Sequence, residues 1–203
     1  MKKIYIAIVA LVLFTGLGLA IDYSVNLNFN YSFGAGDFFK THEQTVTAAS
    51  EETVEKMRNR LGLGFDLGVR VRLIKKLYLI PSYSLNWGHQ KFEAVTVADG
   101  SAFARKNYYF QIHTGNLNVA YEYLTMKNGW TLYALTGVNF NRISADEELN
   151  FEKKSYLGWM IAQGFVYRQV QKLGFNFRAF YKTFFSAEKI SYIGLDGGVM
   201  FRF

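Results

Sequence analysis

The sequence predicts an all-β chain, an eight-stranded antiparallel up-and-down transmembrane β-barrel with tilted strands. Three observations predict it. Apolar residues recur at alternate positions in stretches of about ten residues, the length a tilted strand needs to cross a bilayer. The 203-residue chain is 18% aromatic against 19% charged, with one Pro and no Cys. The connections between the alternating stretches are long and short by turns.

The N-terminus is set apart from this pattern. Lys2 and Lys3 precede a nearly continuous apolar run from Ile4 to Leu13, and Gly18-Leu19-Ala20 supplies small residues at a cleavage site. This is the grammar of a secretory signal peptide over residues 1–20, leaving 21–203 as one barrel domain. Loss of Lys2 and Lys3 lowers the formal charge from +7 to +5. No other run is long and apolar enough for a membrane helix. The missing Cys excludes a disulfide scaffold, a cysteine-ligated metal and an N-terminal lipid anchor.

In the first stretch, residues 24–33, Val25, Leu27, Phe29, Tyr31 and Phe33 alternate with Asn26, Asn28, Asn30 and Ser32 without exception. From Leu61 to Leu73 every odd residue is apolar, opposite glycines and the charged Asp66, Arg70 and Arg72. Leu77–Trp87 alternates with Pro81 on its apolar side. Tyr108–Leu124 changes parity: Phe110 and Ile112 oppose Leu117, Val119, Tyr121 and Tyr123, so a bulge near Thr114–Asn116 is expected. Trp130–Asn141 follows. Leu157–Arg168 agrees except at Gln163, and Leu173–Thr183 and Ile193–Phe203 complete eight strands.

Turn chemistry gives registers. Asn128-Gly129 favours a two-residue type I′ hairpin, which pairs Tyr121 with Thr136, Leu117 with Phe140 and Asn118 with Asn139. A hairpin tipped by Asp99-Gly100 sets His89 opposite Phe110 and His113 opposite Asn86. The last hairpin, centred near Ala187, sets Arg178 opposite Asp196. Long connections span 34–60, 88–107 and 142–156; short ones are Ile74–Lys76, Thr125–Gly129 and Gln169–Lys172. Residues 50–60 read either as a helix capped by Ser50 or as an extension of the second strand.

The chain resembles the small eight-stranded outer-membrane barrels of the OmpA, OmpX and opacity type over its whole mature length, without a peptidoglycan-binding domain. Its ending GLDGGVMFRF, with Val199, Phe201 and Phe203 at alternate positions, is similar to the signal read by the barrel-assembly machinery. The resemblance implies the outer membrane of a Gram-negative-type bacterium after cleavage near Ala20, with short turns in the periplasm and long loops outside. Implied partners are membrane lipids, lipopolysaccharide, the assembly machinery and a possible extracellular ligand, with a monomeric state. Trp87, Trp130, Trp159, Tyr123 and Tyr167 are the expected aromatic girdles.

By parity Asp66, Arg70, Arg72, Glu122, Arg178, Lys182, Asp196 and Arg202 point into the lumen. Eight strands enclose a space that side chains just fill, so these charges are expected to pair and plug it. Lys75, Lys76, Lys127, Arg168, Lys172 and Arg202 gather at the short-turn end, where the turns carry no acid. Basic loop residues such as Arg58, Lys91 and Arg142 suit lipopolysaccharide phosphates. His42, His89 and His113 form no metal spacing, and no nucleophile motif or phosphate loop occurs, so no cofactor and no enzyme is expected. Nucleic acid is excluded by compartment. Function is expected in the surface loops, as binding, adhesion or membrane reinforcement. The alternatives are passage of small or apolar molecules, as in OmpW-like barrels, and lipid modification.

Overall fold

The computed structural model describes residues 22–48, 51–97, 102–145, 155–168, 172–186 and 189–203. The expected signal peptide, the Asp99-Gly100 tip and the acids of the third long loop lie outside the described residues. The strands are β1 Tyr23–Gly34, β2 Thr41–Ala48, β3 Glu51–Ile74, β4 Leu77–Thr96, β5 Ala102–Thr125, β6 Trp130–Ala145, β7 Ser155–Tyr167, β8 Leu173–Phe184 and β9 Ile190–Arg202.

Eight of them close into a ring, because β1 pairs antiparallel with both β9 and β3. A row drawn across the strands from Tyr23 meets Val71, Leu79, Val119, Thr136, Ile161, Tyr181 and Ile193, and returns to β1 at Phe33. That stagger of ten residues, Tyr23 to Phe33, is what tilts the strands by about 35–45°. The ninth strand, β2, is outside the ring and pairs with the upper half of β3.

Burial follows the alternation. Asn26, Asn28, Asn30 and Ser32 are buried inside while Leu27, Phe29, Tyr31 and Phe33 are exposed outside. Apolar side chains facing outward around a closed ring suit lipid as solvent, and closure leaves no unpaired edge at membrane depth.

One open reading is decided and three others change. Residues 51–60 are strand, held by β2 on one side and β4 on the other. Cross-strand partners hold the extension, since Lys56 Nζ meets Glu43 Oε1 at 3.0 Å. The bulge expected near Thr114–Asn116 is absent: β4 and β5 keep one register from Leu77–Tyr121 to Ala94–Ala104. Phe110 and Ile112 therefore point inward, 1% and 0% exposed, and the parity change is a real apolar patch in the lumen. The bulge on β3 lies between Leu61 and Gly64 and turns Leu61 inward to join them.

The Asn128-Gly129 turn is one residue longer than expected. Met126 pairs with Trp130, the Gly129 amide donates to the Met126 carbonyl, and Gly129 takes φ +88°, a left-handed position where Gly avoids the Cβ clash. A second bulge between Glu122 and Leu124 brings the strands back into phase, so Tyr121 faces Ala134, Leu117 faces Val138 and Asn118 faces Gly137. Outward still meets outward. The β4–β5 register also differs by one, with His89 opposite Tyr109 and His113 opposite Leu85.

Candidate functional site

Two regions carry chemistry: the lumen, and the part of the sheet that outgrows the ring.

The lumen is layered. At the long-loop end the short 3-10 helix Asp37–Phe39 folds over the mouth and inserts Phe38 and Phe39, both buried. Phe38 packs edge-on against Phe110 with centroids 5.9 Å apart, and Asn59 Nδ2 donates to the Phe38 carbonyl at 2.8 Å. Leu61, Ile112, Ile143, Phe184 and Tyr192 complete this apolar lid. Burying it stabilises the closed mouth by about 25 cal/mol per Å² of apolar surface.

Below the lid the interior is polar. Lys182 Nζ donates to Ser84 Oγ at 3.0 Å and lies 5.3 Å from the Phe180 ring centroid. Arg178 Nε donates to Asp196 Oδ2 at 2.6 Å, and an Arg178 terminal nitrogen stands 3.6 Å from Asp66 Oδ1. Asn176 Nδ2 donates to Asn28 Oδ1 at 2.7 Å, and Thr114 Oγ1 to Asn141 Oδ1 at 2.8 Å.

The short-turn end is closed by Arg70, whose Nη2 meets Glu122 Oε1 at 2.5 Å while its Cζ sits 4.0 Å above the Tyr78 ring centroid. Arg168 bonds the same carboxylate. Alternation alone gave no sign of this, because Arg168 follows the end of β7 and reads as a solvated turn residue. Arg72 and Arg202 are a correction. Expected within the lumen, they lie at its mouth, 38% and 47% exposed, and both bond Asp22, at 2.6 Å and 2.7 Å. The position is inward by parity but falls at the last turn of the strands, where the ring opens to water. The turns themselves carry no acid, but Asp22 and Glu122 stand beside them at this end and meet the arginines.

On the outer wall Trp87 and Trp159 lie toward the long loops and Trp130, Tyr167 and Tyr123 toward the short turns. Trp130 packs on Tyr167 at 4.6 Å and Trp159 on Tyr181 at 5.9 Å. Gln163, the exception in its strand, faces outward and donates to the Tyr123 hydroxyl at 2.7 Å. Val199, Phe201 and Phe203 occupy the outward side at the end of the chain, with Phe203 stacked on Tyr23 at 5.4 Å. Of the histidines, His113 Nδ1 is 2.6 Å from the Tyr83 hydroxyl. Among the described residues no three potential metal ligands gather.

Above Phe110–Ala145, where β6 stops pairing, β5 continues with β4 and β3. With β2 they form a four-stranded sheet whose order ends at β2, leaving that strand's far edge unpaired among the described residues. On one face the row Glu43, Lys56, Glu93, Arg105 alternates in sign, and Glu93 meets Lys91 at 3.2 Å and Arg105 at 3.1 Å. The hydrogen bond from Lys91, reinforced by both cations, holds the Glu93 carboxyl below its usual range.

This geometry, a closed ring of eight tilted strands with an apolar exterior and a filled polar interior, defines a small transmembrane β-barrel. No known family profile matches the chain, and no curated protein matches it by sequence. Solved structures match it in fold. Neisserial surface protein A aligns with a TM-score of 0.59 and 12% identity, over 89% of this chain and 97% of that one. OprG from Pseudomonas aeruginosa aligns at 0.55 and 12%, over 91% and 96%. Ail, the attachment invasion locus protein of Yersinia pestis, aligns at 0.54 and 12%, over 91% and 100%. The fold is that of the small outer-membrane β-barrels.

Proposed function

We propose that this chain resides in the outer membrane with its long loops outside and acts there as a surface-binding protein, presenting the β2–β5 sheet to an extended segment of an extracellular partner. The free edge of β2 carries the reading. Unpaired backbone N–H and C=O groups on an edge strand are a template for one more strand, and alternate side chains then supply selectivity. Ail, the attachment invasion locus protein of Yersinia pestis, shares the fold. Arg58, Arg60 and Lys91, on the outward side of the same sheet, suit lipopolysaccharide phosphates and would steady it above the membrane.

The lumen favours this reading over passage of small molecules. Phe38 and Phe39 cover one end, Arg178 and Asp196 cross the middle and Arg70 and Glu122 close the other. No enzymatic role is assigned. Val199, Phe201 and Phe203 would serve recognition by the assembly machinery.

The test replaces residues 37–50 by a short turn and measures binding of the expressing bacteria to host-cell or matrix protein. Loss of binding with heat-modifiable gel mobility retained is expected. Undiminished binding would overturn the proposal, as would conductance steps of porin size from the unaltered barrel in planar bilayers.

A further inference from the structure

At the short-turn mouth four guanidinium groups converge. The Cζ atoms of Arg70, Arg72 and Arg168 lie 4.0, 5.8 and 5.9 Å from the centroid of the one Tyr78 ring. Arg202 shares Asp22 with Arg72. These four cations, with Asp22, Ser24, Tyr78 and Met200, line a cavity of about 20 Å³ that opens outward. Asp22 and Glu122 are the carboxylates bonded to them. Each carboxylate is shared between two guanidiniums, so the cluster carries a net charge of two positive units among the described residues.

Such clustering is costly in a partly desolvated site, because like charges repel more strongly where water is excluded. Arg70 makes the deficit specific. It is 3% exposed, lines the cavity, and its Nε has no hydrogen-bond partner among the described residues. A buried guanidinium N–H left unmet is an unusual expense in a folded chain. The missing partner must accept hydrogen bonds, carry negative charge and be small where it enters.

We propose that the short-turn mouth is an oxyanion site that takes one phosphate group, held by Arg70, Arg72, Arg168 and Arg202. The free volume admits a single oxygen, so the group enters by one oxygen toward Arg70 while its others remain at the mouth between the exposed Arg72 and Arg202. Guanidinium forks match phosphate oxygens two at a time, and the net positive charge of the site suits a phosphate as either its mono- or its dianion. Asp22 lines the same cavity and holds Arg72 and Arg202 in place, so the anion must use the guanidinium N–H groups that Asp22 leaves free. The same chemistry is offered by soluble phosphate and by the phosphate of an anionic phospholipid leaning over the rim.

The experiment titrates inorganic phosphate into the refolded barrel in phosphatidylcholine nanodiscs at constant ionic strength, read by calorimetry. Saturable binding is expected. Arg72→Gln and Arg202→Gln each weaken it by about tenfold, the loss of one charge-assisted hydrogen bond, and together they abolish it. Lys127→Gln, on a neighbouring turn, leaves it unchanged. Both arginines are half-exposed, so gel mobility should show that these variants fold. A repeat with phosphatidylglycerol in the bilayer distinguishes the sources: phosphate binding competed away marks a lipid headgroup, and binding preserved marks a soluble anion. Absence of saturable binding, or equal affinity in the Arg72→Gln/Arg202→Gln variant, overturns the site.

Discussion

Arg178 and Asp196 stand directly opposite each other on β8 and β9, guanidinium against carboxylate at 2.6 Å, with Asp66 on the far side of the arginine. All three are buried. Asp196→Asn would leave Arg178 in the barrel centre with its more distant acid alone, and should lower unfolding stability in lipid by about 3–5 kcal/mol. Replacing both residues with leucine and Asp66 with asparagine, so that no buried charge loses its partner, should restore most of that loss. Urea titrations of the single and triple variants check it, and a triple variant no better than the single would show that the pair is not the relevant unit.

The lid separates the polar interior from the loops. Phe38→Ala with Phe39→Ala removes two buried rings, worth about 3–5 kcal/mol each when fully buried. A cysteine in place of Thr114, which is 0% exposed, should be inert to a soluble maleimide in the intact barrel and label at least about tenfold faster when the lid is lost. Equal labelling rates would mean that the lid does not seal the mouth.

Strand contact leaves no room at Gly198. A Cβ there would lie 2.0 Å from the Leu27 carbonyl oxygen and 2.6 Å from the Asn28 Cα, both backbone-bound. Gly198→Ala should therefore reduce the fraction of heat-modifiable folded barrel. Gly115 has nothing within 4 Å of the same position, and Gly115→Ala should fold as well as the unaltered chain. Equal yields from the two variants would contradict this packing.

Glu93, with 22% of its side chain exposed, is paired with Lys91 and Arg105. Its carboxyl titrates below the ordinary value of 4.5, so its contribution to the β4–β5 extension is complete above that value. It is lost as pH falls through the lowered folded-state value. Amide exchange near Glu93 and Arg105 should rise on acidification below pH 4.5 and do so less in Glu93→Gln. Salt should blunt the effect, since the pair is exposed.

How much of this was legible follows from periodicity. A period of two assigns faces, so the buried Asn26 to Ser32 row and the exposed aromatic row opposite it could be read directly from residues 24–33. The Arg178–Asp196 pairing was legible because its connecting turn is short and each strand keeps one parity. Periodicity is silent where a strand ends or bulges. Arg72 and Arg202 have inward parity but sit where the wall stops, and Arg168, read as the last residue of its strand, lies one residue beyond the end of β7 at Tyr167. Phe110 and Ile112 suggested a bulge because apolar residues were assumed to face lipid. The apolar lid breaks that assumption, since a mouth can be sealed by hydrophobic packing as well as by charge. The protruding β2 was hidden because Thr41 to Ala48 carries few apolar residues, as an exposed edge strand can.

The seam between β1 and β9 bears on how the molecule comes into being. Arg202 and Asp22, bonded across it, are 180 positions apart in the chain, and β1 also needs β3 on its other side. The wall contacts from β3 to β9 join strands adjacent in sequence and can form as local hairpins, and β1–β3 spans only the β2 excursion, whereas this one carries nearly the full loop-closure entropy of the polypeptide. A curled sheet with two bare edges must therefore precede the sealed cylinder, and its lifetime sets how long the chain needs protection from stray strands.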